Sequence, residues 1–540
     1  MKNRLPWRII VLCFICLSMI FSLSTPIDAG TNMNRLNMAY VYFGNSNTYK
    51  SSVEKTKSSL QVISPSYFNI DEDGTLKLVS NIDVQFIKEM HKQNIKVIPF
   101  LSNHWNRDIG RLALEKRETL ADQIAQAVIM YQLDGVNVDI ENVTEIDRDA
   151  YTDLVRLLKE KLPAEKVVSV AVAANPYRFN KGWHGSYDYE ALAKYSDYMI
   201  IMTYDEGYEG GPQAPVASGL FVEKSIQYAL EKVPKEKILI GIPFYGRYWK
   251  DGESYGGYGI NLTNVEQLIK KYNGQISYDR VKQSPKAVIT IKPGDERPKI
   301  YGKELTPGTY TLWYENEESI KYKLRLVQKY DLKGAASWSL GQEMEDTWEY
   351  FNLWLNGNYF VDIREHWAQT AILDMEEKGW MRGTSSILFS PDKPLNRAQA
   401  AVTLVKALGL EDKEAEGSSF KDVSQTHWAK KEIDIVRQYG IMIGDEKGNF
   451  YPESPVTREQ MASILDRILP KLKVSNTKGK SFKDVAVNSW SHSSIMKVTQ
   501  NDIFLGYPDG TFKPGEKITR AQMAALLSRT SSNGHILGVK

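Results

Sequence analysis

The C-terminal third of the chain repeats itself at a fixed interval. One tryptophan and one arginine recur at spacings of 61 and 62 residues, namely Trp367, Trp428 and Trp490, and Arg397, Arg458 and Arg520. A fixed period means that one supersecondary unit is built several times and that neighbouring units bury their apolar faces against each other. The sequence therefore predicts three similar, mostly helical domains, at residues 357–411, 417–471 and 479–533.

The three units share one internal order. An aromatic-x-Asp element opens each unit and ends at Asp362, Asp422 or Asp484. The tryptophan, an apolar helix and a proline-ended loop follow, and a second helix begins at the arginine, capped by the preceding Thr or Asn. A helix N-terminus with an arginine favours an acidic ligand, because N–H donors and a guanidinium converge there. Alternatively, each arginine braces the fold by pairing with an aspartate of its own or a neighbouring unit.

The longer N-terminal part alternates short β-branched or aromatic runs with amphipathic helical segments, which is the pattern of repeated βα units. The predicted strands are 38–43, 62–63, 95–101, 135–141, 167–173, 198–204, 238–244 and 334–340. Eight strands indicate a closed α/β barrel over residues 35–355, whose chemistry lies at the C-terminal ends of the strands. Residues 250–310 do not fit one βα step and are predicted to form a small insertion.

The fourth predicted strand contains unusual polar residues. In the run 134–141, apolar side chains alternate with Asn137, Asp139 and Glu141. A period of two sends the apolar set outward against helices and the polar set into the barrel. Two acids and an amide in a barrel interior are costly unless chemistry requires them. The alternative is an exposed edge strand with solvated acids, which the apolar flanking strands disfavour.

Four motifs follow one another at barrel spacing. They are the run 134–141, which reads Asp-Gly-x-x-x-Asp-x-Glu, Met202-Thr203-Tyr204-Asp205, Gly241-Ile242-Pro243-Phe244-Tyr245-Gly246 and Ser337-Trp338-Ser339-Leu340-Gly341. Together they resemble glycoside hydrolase family 18, on strands four, six, seven and eight of its barrel. Details such as Asn137 look most like the branch with cortical-fragment-lytic and spore-germination glucosaminidases. The resemblance implies a TIM (β/α)8 barrel with a small α+β insertion, acting on β-1,4-linked N-acetylglucosamine polymers.

The resemblance also implies roles for the polar residues of strand four. In this family the 2-acetamido group of the substrate is the nucleophile, so that one acid and a means of holding the amide suffice. Glu141 is then the residue that protonates the glycosidic oxygen and later activates water. Asp139 accepts the acetamide N–H. Asn137 stands where many chitinases have an acid, and a neutral amide there is expected to let Asp139 ionise more readily.

Four further residues are expected at the substrate by the same resemblance. Tyr204 orients the acetamide oxygen by donating its hydroxyl, and Trp338 forms the floor under the distorted sugar. Asp205 and Tyr245 are weaker candidates for hydrogen bonds to substrate. The alternative for Tyr204 and Trp338 is plain packing within the barrel.

The C-terminal units resemble S-layer homology domains. This resemblance implies a pseudo-threefold module that binds a pyruvylated secondary polysaccharide of the bacterial cell wall. The expected binding residues are Asp362, Trp367, Arg397, Asp422, Trp428, Arg458, Asp484, Trp490 and Arg520. All three copies have Gln where the family motif usually ends in Glu. The first copy also has Asn396 for Thr and lacks the turn seen at Asp509-Gly510, so that the pocket of Arg397 is expected to differ most.

The N-terminal segment and the composition fix the compartment. Residues 1–29 have a basic start, an apolar run and a small-residue end, which predicts a secretory signal peptide; the alternative is an uncleaved membrane anchor. Both cysteines, Cys13 and Cys16, lie in this segment, so disulfides and thiolate sites are excluded from the remainder. Beyond residue 29 the chain has 65 charges of each sign, which argues against binding nucleic acid or an anionic membrane through bulk charge.

The sequence thus predicts a secreted, wall-anchored glycoside hydrolase with peptidoglycan as its favoured substrate. A chitinase at the cell surface is the first alternative, and an inactive glycan-binding surface protein is the second. The seven histidines show no ligand pairing at i, i+4, and no phosphate loop stands out, so that no metal, nucleotide or other cofactor is expected.

Overall fold

A computed structural model of the 540-residue chain describes residues 35–79, 82–416, 419–469 and 481–532. The predicted signal peptide lies outside the described residues. No helix within these ranges is both long enough and apolar enough to cross a membrane.

Eight parallel strands form the α/β domain, in the positions that the sequence predicts. They are Leu36–Val41, Val62–Pro65, a third strand in two pieces (Lys96–Val97 and Phe100–Ser102), Gly135–Asp139, Val167–Ala173, Tyr198–Met202, Ile238–Pro243 and Gly334–Trp338. Each pairs with its neighbours in chain order, and the eighth pairs with both the seventh and the first. The first piece of the third strand pairs with the second strand and its other piece with the fourth. This is an α/β domain of the TIM-barrel type.

The alternation in the fourth strand divides the apolar core in two. Val136, Val138 and Ile140 are fully buried in the large cluster that includes the outer helices. A second, smaller cluster lies inside the sheet and contains Tyr40, Phe100 and other inward residues of the strands. Period-two patterning therefore places the polar residues of strand four on the inner side, as expected.

Helices follow the strands around the barrel. They are Ser46–Lys55, Val84–Lys92, Arg107–Glu115, Arg117–Met130, Arg148–Lys161, Gly182–Gly185, Tyr189–Tyr195, Gly219–Leu230, Glu317–Lys329 and Thr347–Leu355, with 3-10 turns at Glu145–Asp147 and Lys235–Lys237. Most begin at a side-chain cap such as Asn106, whose Oδ1 accepts the N–H groups of Asp108 and Ile109.

The predicted insertion between strands seven and eight is a five-stranded antiparallel sheet with one helix, Leu262–Lys271. Its strands, in spatial order, are Tyr258–Asn261, Tyr245–Lys250, Gly308–Trp313, Ser284–Ile291 and Gln275–Asp279. A small hairpin, Lys299–Ile300 with Lys303–Glu304, accompanies it. The insertion begins earlier than expected, because the chain enters its first strand at Tyr245, directly after the seventh barrel strand. Two short β-strands also follow the second barrel strand, Phe68–Ile70 and Leu76–Leu78.

Each repeat contains two helices, as predicted. The pairs are Gln369–Glu377 and Arg397–Ala407, Lys430–Gln438 and Arg458–Ile468, and His492–Gln500 and Arg520–Ser532, and a 3-10 turn at Val361–Ile363 opens the first repeat. The second helix of each pair begins at a reciprocal capping box. In the second repeat the Thr457 side chain accepts the Gln460 N–H, and the Gln460 side chain accepts the Thr457 N–H. Gln at the fourth position of the motif therefore performs the capping that Glu performs elsewhere.

The three repeats are joined by equivalent contacts. Arg397 of the first repeat donates Nε to the carbonyl of Phe450 in the second at 2.6 Å, Arg458 donates to Phe512 in the third at 2.7 Å, and Arg520 donates to Phe389 in the first at 2.9 Å. Single β-bridges connect the same pairs of repeats, at Asn396–Pro455, Thr457–Lys517 and Pro394–Thr519. The third repeat therefore returns to the first.

Candidate active site

The end of the fourth barrel strand is held by backbone contacts to Glu141. Asn103, from the loop after the third strand, accepts the Glu141 N–H at 2.9 Å and donates Nδ2 to the Glu141 carbonyl at 2.8 Å. The Tyr187 hydroxyl donates to the carbonyl of Ile140 at 3.1 Å. Strand pairing stops at Asp139, two residues before the predicted end. Hydrogen bonds from Asn103 to Glu141 and from Tyr187 to Ile140 therefore take the place of strand pairing at the end of this strand.

Asn137 is fully buried inside the barrel, and both ends of its amide are hydrogen-bonded by residues of the first and fifth strands. Its Oδ1 accepts the Tyr40 hydroxyl at 3.0 Å, and its Nδ2 donates to the Ser169 Oγ at 2.9 Å. An amide suits these two partners because it accepts on one side and donates on the other.

The two acids of the strand are shielded from water to different degrees, because Asp139 is buried and Glu141 is half-buried. Asp139 is 6% exposed, and its Oδ1 is buried without a hydrogen-bond partner among the described residues. Burial raises the pKa of Asp139 to about 7. Burial, and then the negative charges of Asp139 and Asp205, raise the pKa of Glu141 well above its ordinary value. Loss of solvation thus outweighs the gain in ionisation expected for Asp139 from an amide at position 137.

Tyr204 lies next to these acids, just past the end of the sixth strand. Its half-buried ring packs against the backbone of the seventh strand so closely that a Cβ at Gly241 would lie 2.6 Å from the Tyr204 Cε1. Burial raises the pKa of Tyr204 well above its ordinary value, and the charges of Tyr245 and Asp139 add to this effect. The hydroxyl therefore stays protonated and is available as a donor.

Asp205 and Tyr245 meet at the same end of the barrel. The Tyr245 hydroxyl donates to Asp205 Oδ1 at 2.6 Å, and the guanidinium of Arg247 donates to the same oxygen, with Nη2 at 2.6 Å. Arg247 was not among the predicted site residues. The signal that would have found it is its position two residues after Tyr245, on the same face of one strand.

Trp338 ends the eighth strand and is half-buried among aromatic rings. Its ring centroid lies 5.2 Å from that of Tyr40, 5.8 Å from Tyr42 and 5.9 Å from Phe100. Beyond it, Phe43 is 51% exposed and stacks on Tyr301 of the insertion, with the ring centroids 6.4 Å apart. The site therefore combines the buried Asp139 and the half-buried Glu141 with an apolar, aromatic wall.

Two grooves in the repeats each combine residues from all three copies. The Arg397 groove has a volume of about 440 Å³ and is lined by Arg397, by Ile443 and Arg467 of the second repeat and by Trp490 of the third. The Arg458 groove has about 360 Å³ and is lined by Arg458, by Leu505 and Arg529 of the third repeat and by Trp367 of the first. Each guanidinium also faces a phenylalanine ring of the next repeat. The recurring tryptophans and arginines thus meet between copies.

The opening aspartates have a different environment. Asp362 accepts the N–H groups of Phe389 and Ser390, and Asp422 and Asp484 do the same for the equivalent loops. None of these three aspartates lines the two grooves described above. No described hydrogen bond or ion pair joins them to the arginines, which donate to backbone carbonyls instead. Their negative charges still act on the arginines of the preceding copy in the cycle, where they oppose the lowering of the arginine pKa by burial. The loop of the first repeat that lacks the Asp-Gly turn was expected to alter the pocket of Arg397. It contacts Arg520 instead, because each arginine donates to a loop of the next copy.

The sequence matches two families over separate stretches. Residues 38–343 match Glycosyl hydrolases family 18, and residues 359–401, 419–462 and 481–524 match the S-layer homology domain. The chain is 26% identical over 293 residues to the cortical fragment-lytic enzyme of Bacillus subtilis (strain 168), covering 52% of this chain and 64% of the relative. It is 32% identical over 169 residues to the cellulosome-anchoring protein of Acetivibrio thermocellus, covering 30% and 38%.

One solved structure extends the likeness of the barrel domain. The chitinase of Chromobacterium violaceum ATCC 12472 is 26% identical, with a TM-score of 0.52, and the match covers 59% of this chain and 99% of that chain. The S-layer homology domains and their cell-surface relatives point to the cell surface or cell wall as the location. The hydrolase match spans more than half of the chain and includes the two acids at the end of strand four. The chain therefore belongs to glycosyl hydrolases family 18 and carries three S-layer homology domains behind its barrel.

Proposed function

We propose that the protein hydrolyses β-1,4 linkages that follow an N-acetylglucosamine, with retention of configuration and with the substrate's acetamido group as the nucleophile. The observation that carries the proposal is the Glu141 carboxyl group, whose pKa is raised well above its ordinary value, beside the buried carboxyl group of Asp139 and the protonated hydroxyl of Tyr204. A carboxylic acid that keeps its proton near neutral pH can act as a general acid. Aromatic rings around Trp338 supply an apolar face for a sugar.

In the first step, the acetamide oxygen attacks C1 while Glu141 gives its proton to the glycosidic oxygen, and the bond from C1 to that oxygen breaks. The leaving sugar departs with the proton, and a cyclic oxazolinium ion remains. Asp139 accepts the acetamide N–H and stabilises the positive charge, and Tyr204 donates to the acetamide oxygen and aligns it. In the second step, Glu141 takes a proton from water, whose oxygen attacks C1 and reopens the ring.

The surrounding residues position the substrate. Trp338 forms the floor under the reacting sugar. Asp205 is held by Tyr245 and Arg247 at a place where its negative charge raises the pKa of Glu141. Asn137 takes no part in proton transfer in this proposal, because both ends of its amide are engaged by Tyr40 and Ser169.

We propose peptidoglycan as the substrate. The relationship to a cortical fragment-lytic enzyme supports this choice, and so does an anchor that would keep the barrel within the wall. Chitin is the second candidate, because the likeness to a chitinase covers nearly the whole of that protein. An inactive binding protein is less well supported, since Glu141 is present and its pKa is raised well above its ordinary value.

We further propose that the leader at 1–29 directs secretion and that the domains at 357–411, 417–471 and 479–533 form a pseudo-threefold module on a pyruvylated wall polysaccharide. The cyclic contacts between repeats support the symmetry. Grooves that combine a guanidinium, a second basic residue and an exposed tryptophan suit an acidic sugar. In this proposal the opening aspartates act by bracing the loops that border the grooves.

The test of the enzymatic proposal is mass spectrometry of products from purified peptidoglycan and from chitin oligomers, with the protein and its Glu141→Gln variant. Muropeptides with a new reducing N-acetylglucosamine, formed only by the unsubstituted protein, are expected. Products from chitin alone would make it a chitinase. No product from either substrate would contradict the proposal and favour a binding protein.

A further inference from the structure

The barrel and the first repeat are packed directly against each other. The last helix of the barrel ends at Leu355, and the first turn of the repeat begins at Val361. The fully buried ring of Trp354 lies 5.6 Å from the ring of Phe360, the aromatic residue that opens the repeat. The short connection and its buried rings leave no flexible linker at this junction.

One stripe of the helix Glu317–Lys329 carries charged side chains toward the first repeat. Glu318, Lys321 and Arg325 stand at i, i+3 and i+7, which places them on one face. Lys321 donates to the carbonyl of Ser386 at 2.8 Å, and its side chain is only 5% exposed. Arg325 pairs with Glu376 of the first repeat, and both side chains are largely buried. A charged face that is buried in this way must keep its partners, because a lone buried charge is costly.

The contact between the barrel and the first repeat extends to the Arg520 position, which is equivalent to the Arg397 and Arg458 grooves. Ile443 and Leu505 are exposed in their grooves. The equivalent residue of the first repeat is Arg382. Arg382 pairs with Glu318 of the barrel, and Glu318 also pairs with Arg280 of the insertion. The same insertion residue presses on Gly379, where a Cβ would lie 2.6 Å from Arg280 Nη1. At the equivalent Gly440 of the second repeat the space is open.

Further features mark this third position as different. Lys406 stands where the grooves have Arg467 and Arg529, and burial together with the positive charges of Arg382 and Arg280 lowers the pKa of Lys406 to about 8. The segment 382–386 faces a cavity of about 890 Å³ whose other wall includes Glu317 and Glu318 of the barrel.

We propose that wall polysaccharide is bound in the Arg397 and Arg458 grooves, and that the equivalent position at Arg520 seats the hydrolase domain instead. This inference rests on the proposed binding of wall polysaccharide by the repeats. It gives the anchor two binding positions and uses the third to hold the barrel in one orientation on the wall.

The exposed tryptophans provide matched variants, because Trp367, Trp428 and Trp490 are 63%, 61% and 64% exposed. Sedimentation with purified cell walls that carry pyruvylated polysaccharide would give the apparent affinity of the full chain. Trp490→Ala and Trp367→Ala are each expected to lower it at least about five-fold, since each removes an aromatic face from one groove. Trp428→Ala, the matched control, is expected to leave it within about two-fold, because the third position holds the barrel.

The outcomes separate the two proposals. An equal loss of affinity with Trp428→Ala would overturn the inference while leaving wall binding intact. No loss with any of the three variants would refute polysaccharide binding in the grooves themselves.

Hydrogen exchange of the full chain tests the seating directly. Glu318→Ala removes the carboxylate shared by Arg280 and Arg382, so that faster amide exchange is expected in residues 379–389. The equivalent residues 440–450 of the second repeat serve as the internal control and are expected to be unchanged. Unaltered exchange in 379–389 would show that the barrel is not seated there through Glu318.

Discussion

Asn103 makes two hydrogen bonds to the backbone of Glu141, and Tyr187 makes one to the backbone of Ile140. These contacts fix the backbone without using the Glu141 carboxyl group, which stays available for chemistry. A reacting group gains most from a fixed position when its own polar atoms remain available. In the same strand, Asn137 is fully engaged inside the barrel, whereas Asp139 has an unpartnered oxygen. Neighbouring positions on one face therefore have opposite roles, one for packing and one for binding.

Asn103→Ala is expected to lower kcat by about 10- to 100-fold with little change in KM, since the acid is displaced while the sugar-binding wall remains. Steady-state kinetics on a chitin oligomer or a muropeptide substrate would measure this. Asn106→Ala is the matched control, because the Asn106 side chain lies in the same loop, accepts the N–H groups of Asp108 and Ile109 and makes no hydrogen bond to Glu141 among the described contacts. Equal losses in both variants would mean that loop integrity, not Asn103, is what matters.

The buried Asp139 predicts a particular dependence of stability on pH. Its pKa is raised in the folded state, so the folded protein binds more protons than the unfolded chain between about pH 4 and pH 7. This contribution to stability is fully present below about pH 4 and is lost as the pH rises through about 7. Asp139→Asn is expected to remove that loss, which amounts to up to about 4 kcal/mol. Urea unfolding at pH 5 and pH 8 would measure it, and an unchanged pH dependence would contradict the burial argument.

At the scale of elements, strand ends decide which side chains reach the substrate. The sixth strand ends at Met202, so that Tyr204 and Asp205 lie in the loop beyond it, and the chain enters the insertion at Tyr245. The insertion thus delivers Tyr245 and Arg247 to Asp205 on a rigid strand. Tyr204 is supported from the side by the seventh strand, where Gly241 leaves room for its ring.

Gly241→Ala is expected to lower kcat by about ten-fold or more, because the added methyl group displaces the Tyr204 ring and with it the donor to the acetamide oxygen. The matched control is Gly259→Ala in the insertion, where no atom lies within 4 Å of the added Cβ. Kinetics would be compared with thermal unfolding of both variants. Full activity of Gly241→Ala would show that the ring can shift without loss of function.

At the scale of the whole molecule, the barrel and the repeats are coupled through the helix Glu317–Lys329. Its charged stripe meets Glu376, Ser386 and Arg382 of the first repeat. The repeats in turn close on one another through the three arginines. Because each copy depends on its neighbour for the partners of its arginine, we expect the C-terminal part to unfold as one unit rather than copy by copy.

Arg325→Ala is expected to destabilise the junction by about 3–5 kcal/mol, since it leaves Glu376 buried without its partner. The double variant Arg325→Ala with Glu376→Gln should lose less, because no unpaired charge remains. Lys329→Ala on the same helix is the control. Lys329 pairs with Glu223, but its side chain is 59% exposed, so loss of this pair is expected to cost little. Differential scanning calorimetry would measure all three, and equal losses for Arg325→Ala and Lys329→Ala would contradict the coupling.

Local patterns in the sequence were enough to predict the eight strands, the insertion and the three repeats. The resemblance to glycoside hydrolase family 18 supplied the expectation that Asp139, Glu141 and Tyr204 act together at one end of the barrel. Periodicity and motif spacing are properties of short stretches, and they can be read without knowing how the rest of the chain packs. Strands four and six were each predicted two residues too long, at Glu141 and Tyr204, because the motifs that predict these strands continue past their last paired residues.

The sequence by itself determined which elements form and which residues line the end of the barrel, because side-chain alternation is set by the backbone of each strand. Only the tertiary structure decided that Asn103 holds Glu141, that Arg247 joins Asp205 and that each repeat arginine enters the next copy. It also decided that the barrel sits on the first repeat. These contacts join residues far apart in the chain, and their geometry depends on how whole elements pack rather than on any local pattern.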